Sequence, residues 1–371
     1  MALANQTDPQ QAAVDLTRWL RTKLPDATDV AVTDVDIPQA SGMSNETIMF
    51  AASWTAGGTA ESERFVARVA PTGEAIFPTS DLAGEFRVLD ALGRHTDVPV
   101  PKVWWVEEDT SVLGSPFIVM SRVDGRVPAD DPPFTTAGWV MDLSPEDRGR
   151  LADNGLQTLA ALHAVDWRGI GLESLAPPAG QSTFDAELAR WRDYFTWAAA
   201  GDANPTVEAG FAWIEANRPA SEGETVLNWG DARVGNLMFA DDLSVSAVLD
   251  WEMVTVGERE AELAWWLLIM RHHTEGIGAP LPEGLPTAEQ VVARYEELTG
   301  HTVQHLRFYE VWAAVRLSAI MHRAGNLMIA LGFLPADAPM KLNNPASQIL
   351  AKLIGSDAPS GDAQSFIGNR G

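Results

Sequence analysis

The pattern of apolar and polar positions changes character near residue 125. Upstream, residues 30–38 (VAVTDVDIP), 46–54 (ETIMFAASW) and 63–71 (ERFVARVAP) alternate with a period of two, and a glycine-rich TAGGTA turn separates the last pair. This predicts antiparallel strands joined by hairpins. Residues 8–24 form an amphipathic stretch with Pro9 in its first turn, where a missing backbone N–H is tolerated, so a helix opens the chain. AGEFRVLDALGRH at 83–95 spaces Phe86, Leu89 and Leu92 three apart, which predicts a second helix. VPKVWWVEE and SPFIVMSRV read as two more strands. Five strands and one intervening helix make a small lobe over residues 1–123.

After VDGRVPADDPP the apolar positions follow a helical period instead. Helices are predicted over RGRLADNGLQTLAALHAV, over TFDAELARWRDYFTWAAA, and over 258–273, 287–299 and 304–331. In the second of these, Phe184, Leu188, Trp191 and Phe195 recur at helical spacing. A strand pair, LMFA and SAVLDWE, sits among them. Residues 124–354 therefore predict a larger helical lobe with an embedded hairpin, and 355–371 a loose polar tail.

Composition narrows the class. Hydrophobic residues at 46% and charged residues at 21% are globular values. With no cysteine, disulfides, thiolate zinc sites and cysteine nucleophiles are excluded together. The net charge of −25 opposes binding to nucleic acid or an acidic membrane surface. The start, MALANQTDPQ, does not read as a signal peptide, and AELAWWLLIM at 261–270 is too short to span a bilayer. These readings predict a cytoplasmic protein with neither nucleic-acid nor membrane partners. The histidines show no metal-ligand spacing, and the tryptophans read mostly as core.

One stretch carries chemistry. NWGDARVGNLMFADDLSVSAVLDWE, residues 228–252, places Asp231, Asn236 and Asp250 in short apolar contexts. By itself this spacing also suits turn residues around a hairpin. Phosphoryl transfer needs a carboxylate to position an acceptor hydroxyl, and divalent metal to bridge the phosphates. Magnesium takes hard oxygen ligands such as a carboxylate and an amide carbonyl. Asp231 would face the acceptor, with Asn236 and Asp250 on metal. There is no G-x-x-x-x-G-K-[ST], G-x-G-x-x-G or G-x-S-x-G motif to support a competing chemistry.

WGDARVGNLMF followed by SAVLDWEMVTVGEREAELAW resembles the aminoglycoside phosphotransferase family, whose loop reads His-Gly-Asp-x-x-x-x-Asn and whose metal segment reads Asp-Trp-Glu. SGMSNETIMF resembles its phosphate-covering turn, FVARVAP its third strand and EFRVLDAL its lobe helix. VPVPKVWWVEEDTSVLGSPFIVMSRVDGR and LHAVDW resemble its hinge approach and the helix before the catalytic loop. The likeness covers residues 30–335 and leans towards the branch related to kinase domains fused to acyl-CoA dehydrogenases. It implies an α+β, protein-kinase-like fold of two lobes, an antiparallel-sheet lobe and a helical one, with a hinge near 120–125. It also implies ATP or GTP and Mg2+ as cofactors. Ser41, Gly42, Ser44 and Asn45 would cover the phosphates, Arg68 held by Glu85 would clamp them, and Met120 and Val123 would wall the base.

Three departures from the family pattern stand out. Trp229 replaces the usual His, which is expected to reshape the loop without abolishing chemistry. Arg68 stands where a phosphate-binding lysine is usual; guanidinium also matches phosphate oxygens, with different reach. Read without the family, Arg68 is a solvated strand charge, Glu85 a helix-start acid favoured by the dipole, and Met120 and Val123 packing residues. Glu258 and Glu262 replace aspartates, a change expected to be structural. The implied activity is transfer of a γ-phosphoryl group to a small-molecule hydroxyl. The resemblance makes an aminoglycoside the nominal acceptor, and the ten acids against two arginines in residues 221–262 would suit a polycation if some of them face the cleft. A hydroxyacyl or sugar-like acceptor stays open, as does a nucleotide-binding module that no longer transfers phosphate. Trp191 and Trp197 are further candidates for a substrate pocket.

Overall fold

The structure, a computed structural model, describes residues 7–38, 45–221 and 223–364. It divides into two compact units, Met1–Val123 and Asp124–Gly371.

The first unit runs α1 (Pro9–Lys23), β1 (Thr28–Asp36), β2 (Glu46–Ala56), β3 (Thr59–Val69), α2 (Leu82–His95), β4 (Val103–Glu107) and β5 (Phe117–Ser121). The strands form one antiparallel sheet in the order β1-β2-β3-β5-β4. Asp8 caps α1 by accepting from the Gln10 N–H, and Pro9 fills its first turn. The helix then buries Leu16, Trp19 and Leu20 with Ile48, Phe50, Phe65 and Phe117 of the sheet. Strand parity follows: Phe65, Ala67 and Val69 point into this core, so Val66 and Arg68 take the opposite face. Their cross-strand partners there are Met120 and Ile118. α2 buries Leu82, Val88, Leu89 and Leu92, while Phe86 of the expected apolar face is only half-buried.

The second unit holds α3 (Pro145–His163), α4 (Thr183–Ala199), α5 (Pro205–Ala216), β6 (Thr225–Asn228), β7 (Leu237–Phe239), β8 (Val245–Val248), β9 (Thr255–Glu258), α6 (Arg259–His272), α7 (Ala288–Thr299), α8 (Leu306–Ala330) and α9 (Pro345–Ile354). β6 pairs with β9 and β7 with β8, both antiparallel, so residues 229–236 run from the first two-stranded sheet into the β7–β8 hairpin. α8 is the central post and is buried along most of its length, against α4, α5, α6 and α9. Its apolar residues lie all round, as expected of a helix without a solvent face. The architecture is α+β, with an antiparallel sheet followed by a mostly helical region.

Some elements fall outside the sequence pattern. β6 and β9 are four residues each, too short to display a period, and α5 and α9 are short helices. On α4 the buried face comprises Phe184, Glu187, Trp191, Tyr194 and Ala198, so Leu188 and Phe195 sit at its margin. The tail expected to be loose is tied as far as Gln364. Asn343 Nδ2 donates to the carbonyls of Ser360, Gly361 and Asp362, and the Gln364 N–H returns to Asn343 O at 3.0 Å. Among the described residues no helix is long and apolar enough to cross a membrane.

Candidate active site

β6 ends at Asn228 and delivers Trp229, Gly230 and Asp231 into a tight turn. Gly230 has φ of +97°, and a Cβ there would lie 2.1 Å from Met253 O, so both conformation and space require glycine. The Asp231 carboxylate is held by three side chains. Trp265 Nε1 donates to Oδ1 at 2.8 Å, while Arg233 Nε and Asn236 Nδ2 donate to Oδ2 at 2.9 and 2.7 Å.

The turn itself is gripped from α6. Glu262, buried, accepts from the backbone N–H of Trp229 at 2.9 Å and from that of Gly230. Its Oε2 also meets His163 Nε2 at 2.9 Å, and His163 Nδ1 meets the Tyr295 hydroxyl at 2.5 Å. Glu262, one of the two glutamates expected to be structural changes, thus supports the turn that carries Asp231. Two backbone donors that would otherwise be orphaned share one carboxylate.

Asn236 and Asp250 are brought to the same place by main-chain bonds. Leu249 N–H donates to Asn236 O at 2.9 Å, and Trp229 Nε1 donates to the carbonyls of Leu249 at 2.8 Å and Asp250 at 3.0 Å. Because Asn236 turns its Nδ2 to Asp231, its carbonyl Oδ1 is directed away from that carboxylate. Asp250 has φ of +62°, in the left-handed region, a conformation costing about 1 kcal/mol or more that the surroundings must impose.

A charge relay that the sequence did not suggest backs this loop. Half-buried Arg233 bridges Asp231 to Asp130, far away in the chain. Burial alone would lower the Arg233 pKa, but Asp130 and Asp231 outweigh it and hold it raised. Burial would raise that of Asp130, yet Arg233 and His273 hold it below the usual carboxylate range. His272 and His273 are both buried, with pKa values pushed down to about 3 and about 4, chiefly by desolvation. Burial thus favours the neutral ring at both positions.

In the first unit, Arg68 Nη1 lies 3.6 Å from Glu85 Oε2, with Glu85 almost fully buried, so the expected pair is formed across β3 and α2. Met120 is buried on the same sheet face as Arg68, and Val123 is half-buried beyond β5. Asn45 is buried just before β2. Ser41, Gly42 and Ser44 lie outside the described residues.

Part of the acidic surplus around the loop is spent on partners within the second unit. Glu258, Glu260 and Glu262 are buried and bonded to Thr183, His301 and His163, and Glu224 pairs with Arg259. Trp191 and Trp197 instead each carry an arginine of α8: Arg316 at 5.4 Å and Arg323 at 4.3 Å from the ring centroids. Trp265, Arg233, Asp130 and Arg316 had no local pattern to reveal them.

The profile of the phosphotransferase enzyme family matches residues 38–301. A protein of Arabidopsis thaliana named a probable acyl-CoA dehydrogenase is 29% identical over 297 residues, covering 75% of this chain and 34% of its own length. The chain thus spans about a third of that relative. A candidate aminoglycoside phosphotransferase of Ralstonia eutropha superposes with a TM-score of 0.67 at 25% identity, over 92% of this chain and 98% of that one. A thermostable aminoglycoside phosphotransferase mutant, solved as a ternary complex with ADP and hygromycin B, gives 0.55 at 16% identity, over 93% and 100% of the two chains. The chain belongs to the phosphotransferase enzyme family, in the branch related to proteins named as acyl-CoA dehydrogenases.

Proposed function

We propose that this protein transfers the γ-phosphoryl group of ATP or GTP to a hydroxyl of a small molecule, with magnesium. The observation that carries this reading is the asymmetry of the Asp231 carboxylate. An ionised carboxylate offers about two acceptor positions per oxygen. Oδ2 is filled by Arg233 and Asn236, whereas Oδ1 accepts from Trp265 and keeps a position for an incoming hydroxyl. The side chain is thus fixed in orientation with one oxygen reserved, as a group that positions an acceptor must be.

The residues present fit magnesium. The Asn236 carbonyl, turned away from Asp231, and the Asp250 carboxylate are hard oxygen donors on adjoining backbone. Two protein ligands suit an ion that keeps its other positions for phosphate oxygens and water. When bound, the ion would neutralise charge developing on the transferred phosphoryl group. Asp231 accepts the hydroxyl proton, and Arg233 balances the charge on Asp231 between turnovers. Arg68, positioned by Glu85, supports the phosphates, with residues 41–45 and Met120 and Val123 completing the nucleotide side. A structural relative that binds ADP on this fold supports the nucleotide reading.

The acceptor is a small-molecule hydroxyl. Support for an aminoglycoside from the local acid count weakens, because four of those acids are spent on internal partners. The rival reading, a nucleotide-binding module that no longer transfers phosphate, would draw on Trp229 and Arg68; Trp229 serves as a loop support and Arg68 pairs with Glu85, both compatible with transfer. Asp231→Asn keeps the shape and removes the base. Release of ADP with a working acceptor should fall roughly 10²–10⁴-fold, while calorimetric affinity for magnesium-ATP stays within a factor of about three of the natural protein, an interaction Asp231 does not make. Equal turnover in the two proteins would sink the assignment.

A further inference from the structure

Arg316 lies midway along α8 and is 4% exposed, its guanidinium 4.4 Å from the Trp265 ring centroid and 5.4 Å from that of Trp191. Among the described residues it forms no ion pair, and its Nε is buried without an acceptor. Trp191 Nε1 beside it is also buried without one. Burial lowers the Arg316 pKa only to about 10, so the group stays cationic at neutral pH.

The carboxylates that face it are all committed elsewhere. Glu187 binds Arg190 at 2.8 Å and accepts from the Thr255 hydroxyl at 3.2 Å. Glu262 holds the backbone of the catalytic loop, and Asp231 holds Arg233, Asn236 and Trp265. Arg190 is a neighbouring cation and adds repulsion. A buried guanidinium without a partner is strongly destabilising, and aromatic faces compensate only part of the lost hydration. Two buried donors side by side, with no acceptor supplied among the described residues, describe a site for an anion. Its position is fixed by Trp265, whose ring face meets Arg316 while its Nε1 meets Asp231 Oδ1, the oxygen kept for the acceptor hydroxyl.

We infer that Arg316, with Trp191 Nε1, anchors an oxyanion of the acceptor beside Asp231, so that the preferred acceptors are hydroxyl-bearing carboxylates or phosphates rather than polycations. This rests on the phosphotransferase reading above. In the step it serves, the acceptor hydroxyl oxygen bonds to the γ-phosphorus of the nucleoside triphosphate and the bond from that phosphorus to the β–γ bridging oxygen breaks. The hydroxyl proton passes to Asp231 and the nucleoside diphosphate departs with the bridging oxygen. The anion at Arg316 is not consumed; it orients the hydroxyl. Arg316 is therefore a specificity-determining residue.

The test uses the full chain with magnesium-ADP at constant ionic strength set by chloride. Thermal-shift titrations compare glycerate with glyceramide, glycerol 3-phosphate with glycerol, and kanamycin as the cationic arm, in the natural protein, Arg316→Met and Arg316→Lys. At least one anion should bind more tightly than its uncharged partner, the pair that responds telling carboxylate from phosphate. Its dissociation constant should rise on the order of a hundredfold in Arg316→Met and less in Arg316→Lys, which keeps the charge but not the fork. Should Arg316→Met not fold by circular dichroism, the lysine variant and the natural protein's preference decide. No preference for an anion over its partner, or equal binding by the natural protein and the variants, overturns the inference. ADP release with ATP separates the two proposals. Anions that bind through Arg316 without turnover count against the phosphotransferase reading alone; turnover of kanamycin or glycerol that ignores Arg316 counts against this inference alone.

Discussion

Trp229 shows how one ring can take over from the histidine usual at its position. Its indole N–H reaches two carbonyls, those of Leu249 and Asp250, and so ties the turn carrying Asp231 to the segment carrying Asp250. Trp229 is 2% exposed, and its ring packs 6.2 Å from that of Trp251, centroid to centroid. A histidine there would leave a void and could not reach both carbonyls from one N–H. Trp229→His is therefore expected to destabilise by about 2–4 kcal/mol, in the range of large-to-small core changes, and to weaken magnesium-nucleotide binding. Urea denaturation and calorimetry check this. A variant as stable as its parent, with unchanged nucleotide affinity, would show that the ring is only filler. Asp231, Asn236 and Asp250 could be read from the sequence because loop and hairpin bring them together locally. Trp265, Asp130 and Arg316 could not: each arrives from a separate element, and only tertiary packing sets which polar atom it meets.

Among elements, α6 is the beam of the site. Glu262 at its first turn holds the loop backbone, and Trp265 three residues on, nearly one turn, holds Asp231. That spacing puts both on one helix face, aimed at one turn of chain. Glu262→Gln would replace an acceptor oxygen with an NH2 group facing N–H donors, whichever way the amide is turned. The cost should be about 2–3 kcal/mol from a buried donor left unsatisfied, together with a loss of turnover larger than the loss of nucleotide affinity. Chemical denaturation and steady-state kinetics on the same preparations would reveal it; unchanged stability and turnover would show the carboxylate to be dispensable. Sequence periodicity exposed α6 and α8 because each runs for several turns, and the sheet of the first unit because its strands alternate for nine or eleven residues in β1 to β3. β6 and β9 stayed hidden since each is a short run whose partner lies far along the chain, whereas the equally short β7 and β8 are close neighbours in sequence; yet the β6–β9 pairing is what launches the turn that carries Asp231.

At the scale of the whole molecule, the two units carry different responses to acid. His272, His273 and His322 all belong to the second unit, and burial lowers the pKa of each, the first two to about 3 and about 4. His272 Nε2 and His273 Nδ1 are buried without hydrogen-bond partners among the described residues, which suits neutral rings. Between the ordinary histidine value of about 6.5 and those folded values, the unfolded chain binds more protons than the folded one. Stability contributed by these groups is thus present above pH of about 6.5 and is lost progressively as the pH falls towards 4. Asp130, held low by Arg233 and His273 against the opposing effect of burial, continues the loss below the ordinary aspartate range. In the first unit, burial opposes but the Asp109 N–H, Trp19 and Lys23 together hold Glu107 at about 2, so its contribution is lost only from about pH 4.5 downwards. Relief of repulsion within a chain of net charge −25 works the other way, as carboxylates are protonated. A single variant separates the effects. His273→Phe removes one titrating ring while keeping a flat apolar group beside Phe134, and leaves the net charge at pH 7 unchanged. Hydrogen exchange, corrected for its intrinsic pH dependence, should show peptides of α6 losing protection between pH 6.5 and 4.5 while peptides of β2 and β3 keep theirs. In His273→Phe the loss in α6 should become shallower. If the sheet peptides open first, or the variant keeps the full pH slope, the buried histidines are not what makes the second unit acid-sensitive.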